Sequence, residues 1–144
     1  MKNMIYKVLI DTNVLVDYTL NRIPFSDDAN EIIELCLREK IKGCIAAHTI
    51  TDMYYILRKD IEPHKRREIL INYCEIFDVI DIGKSKLLHG LINEAFPDFE
   101  DCLQTECAME YGSDFIVTRN TDDFKKSVVK AITPKEFLKL IKLG

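Results

Sequence analysis

Four acids in this sequence share a setting. Asp11 stands inside VLIDTNVLVDY, where an acid, a hydroxyl and an amide (Asp11, Thr12, Asn13) interrupt two apolar segments. Asp52 lies three residues after Thr49, Asp101 three after Asp98, and Asp123 three after Asn120. Each falls at or just beyond the end of a strand-like run, where a helical pattern begins. Singly, each has an ordinary explanation. Thr49-x-x-Asp52 has the form of a capping box, Asp98-x-x-Asp101 and Asn120-x-x-Asp123 are looser versions of it, and Asp11 can cap the helix that follows. Any carboxylate in a first helical turn is also favoured by the helix dipole.

Taken together they point elsewhere. In an open parallel sheet the carboxyl ends of all strands lie along one edge, and ligands bind in the crevice there. Crowding carboxylates into a partly dry cleft is costly unless a cation neutralises them. Carboxylate oxygens suit Mg²⁺ or Mn²⁺, whereas zinc prefers His and Cys. His48, just before Thr49, is assigned a packing or orienting role; His64 and His89 receive none. A carboxylate cage around such a cation typically handles phosphates, polarising a phosphoryl oxygen and lowering the pKa of a bound water.

The elements needed to position these acids are legible. Tyr6 to Ile10, Cys44 to Ala47, Val79 to Ile82, Asp114 to Thr118 and Val128 to Ile132 read as short buried strands. Between them run helical patterns over Val14 to Leu20, Ser26 to Arg38, from Thr49, from Pro63 to Cys74, Ser85 to Ala95 and Asp98 to Tyr111. A short helix at Asp122 to Lys126 follows, and Pro134 opens the last one. Ala29, Ile32, Ile33, Cys36 and Leu37 fall on one helical face, as do Ile50, Met53, Tyr54 and Leu57. Gly43 is expected to break a helix and Gly112 to close one. Strands alternating with helices predict an α/β fold, a three-layer, mostly parallel sheet of four to five strands flanked by helices.

Bulk properties set bounds. The 144 residues suit one domain, able to bury about 70% of the surface its unfolded form exposes. A composition 47% hydrophobic and 31% charged is that of a globular protein, and no stretch approaches the ~20 apolar residues of a membrane span, so a cytoplasmic location is expected. Cys36, Cys44, Cys74, Cys102 and Cys107 are odd in number and form no CxxC, which argues for core residues rather than disulfides or zinc ligands. Met4 to Tyr6 and the pair Tyr54, Tyr55 are likewise expected in the core. A net charge of -4 excludes binding nucleic acid by overall positive charge. Local clusters remain, from Arg58 to Arg67 and in the lysine-rich C-terminal part, with solvated helix faces as their plain reading.

With those residues in view, the chain resembles PIN-domain ribonucleases, in particular the toxins of bacterial and archaeal toxin–antitoxin pairs. VLIDTNVLVDY resembles that family's opening strand and acid, and HTITDMYYIL the segment bearing a second acid, usually Glu and here Asp52. FEDCLQTECAMEYGSDFIVTRNTDDF resembles its most specific part. The resemblance implies Asp11, Asp52 and Asp101 as central metal ligands and catalytic residues. A fourth ligand would come from Asn120, which lacks the family's charge and would weaken the site, or from Asp123; Asp98 would be an extra ligand or only a cap.

Thr12, Asn13 and Thr118 are then expected to orient the acids, and positive charge on Arg119, Lys125, Lys126 and the Arg58 to Arg67 group is expected to hold the RNA backbone electrostatically. The implied activity is Mg²⁺- or Mn²⁺-dependent endonucleolytic hydrolysis of single-stranded RNA, leaving 5′-phosphate and 3′-hydroxyl ends. The implied partners are an antitoxin protein and a second copy of the chain. Two rivals stay open: a PIN-fold module that only binds RNA or protein, favoured by Asn120, and a Mg²⁺-dependent phosphoacceptor domain. The latter is disfavoured because Asp11 has no acidic neighbour and the late strand ends in Thr118-Arg119 rather than Lys.

Overall fold

The computed structural model describes residues 5–143. Five strands, β1 (Lys7–Ile10), β2 (Lys42–Ala46), β3 (Asp78–Ile80), β4 (Phe115–Val117) and β5 (Ala131–Ile132), form one sheet in the order β3-β2-β1-β4-β5. Every neighbouring pair is parallel, so each connection crosses over through helix. The helices are α1 (Thr12–Thr19), α2 (Ser26–Leu37), α3 (Ala47–Ile56), α4 (Pro63–Ile76), α5 (Lys84–Ile92), α6 (Phe99–Tyr111) and α7 (Pro134–Leu143).

Strand periodicity splits the core in two. Val8, Ile10, Ile45 and Val117 point to a face covered by Val14 and Leu15 of α1, Ile32 and Ile33 of α2, Met53 of α3, Leu70 of α4 and Phe137 of α7. Leu9, Cys44, Ala46 and Ile116 point the other way, onto Cys102, Cys107 and Ala108 of α6. Because both faces are buried, the strands are apolar throughout instead of alternating. The three-layer, mostly parallel α/β fold expected from the sequence is the one observed.

Several local readings are corrected. Gly43 does not break a helix; it lies inside β2, where an added Cβ would meet Cys36 Sγ at 2.9 Å and the Phe77 ring at 3.1 Å. It permits close approach of α2 and the end of α4 to the sheet. The turn after α2 instead uses Glu39 at φ 57. Gly112 does close α6, at φ 74. Leu37 and Cys74 are exposed rather than core, as is Tyr55, while Tyr54 packs at the core's edge. Met4 lies outside the described residues; Ile5 is half exposed and Tyr6 packs on Phe115 and Phe137. In the basic cluster Arg66 is not solvated: it is buried, lies over the Tyr54 ring at 4.2 Å and donates to the Tyr54 carbonyl at 2.6 Å. Among the described residues, no helix is long and apolar enough to cross a membrane.

Candidate functional site

The strand order reverses between β1 and β4, and a cleft of about 320 Å³ opens at their carboxyl ends. Its walls carry six carboxylates, Asp11, Asp52, Asp98, Glu100, Asp101 and Asp123. They arrive from the end of β1, the middle of α3, the start of α6 and the 3-10 turn Thr121–Phe124.

Asp11 is buried and fully engaged. Its Oδ1 accepts from the Thr12 N–H at 2.8 Å, capping α1, and from Gln104 Nε2 at 3.1 Å. Its Oδ2 accepts from Thr118 Oγ1 at 2.8 Å and Asn13 Nδ2 at 3.2 Å. Burial pushes the Asp11 carboxyl up, the hydrogen bonds from Thr118 and Thr12 oppose it, and the charges of Asp123 and Asp98 push further up; the net direction is upward.

The capping explanation survives for some acids and fails for others. Asp98 caps α6 through a 2.8 Å bond from the Glu100 N–H, yet it also lines the cleft. Thr49 caps nothing. Helix α3 starts earlier, at Ala47, and the buried Thr49 hydroxyl bonds Thr12 Oγ1 at 3.0 Å and Gln104 Nε2 at 3.3 Å. Asp52 is thereby freed from a capping box and stands one helical turn after His48. Asn120 makes no side-chain cap either, and it lines the cleft beside Asp123.

The tightest group of ligand-type atoms is one not singled out from sequence. One atom each from His48, Asp52 and Glu100 lie within 4.8 Å of one another, with His48 Nε2 3.6 Å from Glu100 Oε1. The Asp52 carboxyl pressed against Glu100 is the main reason the Glu100 carboxyl is pushed up to about 7, with burial next. Asp101 is also pushed up to about 7, chiefly by burial and then by the charges of Asp11, Asp98 and Asp123. Burial lowers His48, against the pull of Asp52 and Asp98, favouring the neutral imidazole that can ligate a metal.

A divalent cation fits this donor set. The donors are hard carboxylate oxygens with a single imidazole, a combination suited to Mg²⁺ and still better to Mn²⁺. Gln104 lines the same cleft; its amide nitrogen bonds Asp11 and Thr49, and its buried Oε1 has no hydrogen-bond partner. Six acids and one orphaned acceptor together call for positive charge.

The cations expected to hold RNA sit elsewhere. Arg119 is tied to buried Asp17, Nε to Oδ2 at 2.6 Å and Nη2 to Oδ1 at 3.2 Å, with its guanidinium 4.1 Å from the Phe25 ring centre. Lys125 stands 3.8 Å from Asp122, Lys126 is exposed, and Arg58 lies over Tyr55 at 3.7 Å. None of the four lines the cleft; Arg22 does. The spacing His48-x-x-x-Asp52 and the run Glu100-Asp101-x-x-Gln104 are signals by which the other residues could have been found. Arg22, in the turn between α1 and α2, has none.

Residues 7–122 match the family model described as PIN domain. In fold the chain is similar to a toxin–antitoxin complex from Klebsiella pneumoniae, at TM-score 0.65 and 22% identity over 88% of this chain and 97% of that one. It is also similar to DNA-bound VapBC from Salmonella typhimurium, at TM-score 0.64 and 17% identity over 90% and 99%. VapBC2 from Rickettsia felis, bound to a promoter DNA fragment, gives TM-score 0.63 and 19% identity over 88% and 98%. No curated protein matches the sequence.

Proposed function

The chain belongs to the PIN-domain family, and from that premise we propose that it is a divalent-metal-dependent endoribonuclease acting on single-stranded RNA. The observation that carries this reading is the convergence of six carboxylates, from four separate segments, on one cleft at the sheet's switch point.

Asp11, Asp52 and Asp101 would hold the cation, with Glu100, His48 and Asp123 completing its surroundings and Asn120 and Asp98 as further oxygen donors. When bound, a divalent cation supplies charge neutralisation and Lewis-acid activation for hydrolysis of a phosphodiester. The chain's own residues do the rest. Thr118 and the Thr12 N–H orient the Asp11 carboxylate through its two shortest bonds, and the longer bonds from Gln104 at 3.1 Å and Asn13 at 3.2 Å are the ones a cation would displace. Thr12 and Thr49 link the starts of α1 and α3, keeping the Asp11 and Asp52 segments in register. Arg22, on the cleft wall, can pair with a phosphate that the acids alone would repel.

The structural relatives are toxin–antitoxin proteins, and we extend the reading to a toxin that dimerises and is neutralised by a partner antitoxin. The test of the chemistry is cleavage of single-stranded RNA with Mg²⁺ or Mn²⁺ and with EDTA. Metal-dependent cleavage, leaving 5′-phosphates and lost in Asp11→Asn and Asp101→Asn variants that remain folded, is expected. Cleavage that persists in EDTA or in those variants would overturn the assignment. One observation favours a second reading: the uncharged Asn120 stands in the cleft at one of the two positions, the other being Asp123, to which the resemblance assigns the family's fourth acid. RNA binding without cleavage at any metal concentration would establish that reading instead.

A further inference from the structure

On the nuclease reading, we propose that a second cavity beside the acidic cleft seats a nucleotide flanking the bond that is cut. This cavity, about 410 Å³, is lined by Pro24, Phe25, Arg119, Thr133 and Lys135, with Asp28 as its acid. That volume lies in the range of small-molecule sites.

Its position follows from alternation along two segments. Arg22 lines the cleft, whereas Pro24 and Phe25, two and three residues on, line the cavity. Asn120 lines the cleft, whereas its neighbour Arg119 lines the cavity. The two hollows therefore share a wall, and a polynucleotide with a phosphate among the acids would pass over that wall into the cavity.

The charges of the two hollows differ. Six carboxylates need a cation before they can approach a phosphate, whereas in the cavity Arg119 is already paired with Asp17 and Lys135 balances Asp28, so a nucleotide meets no net negative charge there. The lining also has the surfaces on which unpaired bases stack, an aromatic ring and a guanidinium plane. Here the two are already stacked, 4.1 Å apart, and the bidentate bond to buried Asp17 fixes the guanidinium's orientation. Such preorganisation lowers the entropy lost on binding. Phe25 is 42% exposed, and Ile23 beside it 84% exposed, so the loop offers apolar surface for a base to cover.

The experiment is an NMR titration of the isotope-labelled full chain with a single-stranded hexaribonucleotide in Ca²⁺, a hard cation that neutralises carboxylates but lacks the strict geometry of Mg²⁺ and so separates binding from cleavage. Shifts at the amides of Phe25, Thr133 and Lys135 are expected. Affinity should fall roughly 5- to 100-fold in Phe25→Ala and less in Phe25→Trp, with Lys135→Glu, an exposed change, weakening binding independently. Unmoved amides, or unchanged affinity in both Phe25→Ala and Lys135→Glu, overturn the proposal and leave the cavity to a protein segment. The two readings fail separately. Cleavage in Mg²⁺ with unmoved amides keeps the nuclease and removes the nucleotide seat; shifted amides with no cleavage keep the seat and remove the nuclease.

Discussion

The Thr118 hydroxyl, fully buried at the end of β4, donates to Asp11 Oδ2 at 2.8 Å and accepts from the Asn120 N–H at 3.0 Å. One side chain thus ties the ends of β1 and β4 together across the point where the strand order reverses. Thr118→Val keeps the shape but removes both roles. Asp11 then loses a donor that opposes the effect of its burial, and a backbone N–H loses its acceptor. A stability loss of about 1–3 kcal/mol in urea melts is expected, with Mn²⁺ affinity about 10-fold weaker by calorimetry. Unchanged Mn²⁺ affinity would mean that this hydroxyl does not orient a ligand.

The pH dependence of stability follows from three raised carboxyls. Asp11 is shifted upward, and Glu100 and Asp101 reach about 7. For Glu100 and Asp101 the folded protein holds a proton that the unfolded chain would release near pH ~4. Their stabilising contribution is complete below that point and is lost as pH rises through about 7, and the upward shift of Asp11 acts in the same direction. Glu62 and Glu136, held down mainly by bonds from backbone N–H groups, act in the opposite sense, but only as pH falls below their ordinary 4.5. Metal-free protein should therefore melt a few degrees lower at about pH 8 than at about pH 5.5, and Asp101→Asn should flatten that slope. Mg²⁺ should raise the melting temperature most at the upper end, where the carboxylates it would bind are charged. A melting temperature independent of pH across this window would contradict the crowding of acids.

What the sequence made legible, and what it hid, divides along physical lines. The sheet order needs only buried parallel strands and crossovers, and apolar runs such as Val8 to Ile10 and Ile116 to Val117 declare those strands. That Asp11, Asp52, Asp98, Asp101, Asn120 and Asp123 meet on one wall follows from placing them at strand ends. Local motifs taken singly mislead. Thr49-x-x-Asp52 looks like a capping box, but the tertiary bonds of Thr49 to Thr12 and Gln104 outweigh the local pattern, and α3 begins at Ala47. Glu100 carries no motif of its own beside Asp101, yet both line the cleft from the first turn of α6. Arg22 and the partnership of Arg119 with Asp17 depend on loop paths across the sheet edge, which no periodicity encodes.

The Arg119–Asp17 pair makes a stability prediction of its own. Asp17 is 1% exposed, and both of its oxygens receive Arg119. Arg119→Ala would leave that carboxylate buried without its cation, a loss of about 3 kcal/mol. Arg119→Lys cannot reproduce the two-pronged contact and should fall between the variant and the parent. Combining Arg119→Ala with Asp17→Asn should recover part of the loss, because the unpaired charge is gone. Urea denaturation of these three variants and of Asp17→Asn alone measures this directly. Additive losses in the double variant would show that the two side chains act independently.

His48 carries the prediction about metal choice. Its Nε2 faces the carboxyls, 3.6 Å from Glu100 Oε1, while burial favours the neutral ring. Imidazole strengthens binding of transition metals more than of Mg²⁺, which prefers oxygen. His48→Asn should therefore reduce Mn²⁺ affinity about 10-fold while changing Mg²⁺ affinity by less, a difference that calorimetric titration of both ions resolves. Asp52→Asn should weaken both ions, since it removes charge rather than a ligand type. If His48→Asn leaves both affinities unchanged while Asp101→Asn abolishes them, the cation is held on the Asp11 and Asp101 side of the cleft. The His48, Asp52, Glu100 group would then be an acidic wall that a substrate must pass, with His48 acting only through its packing.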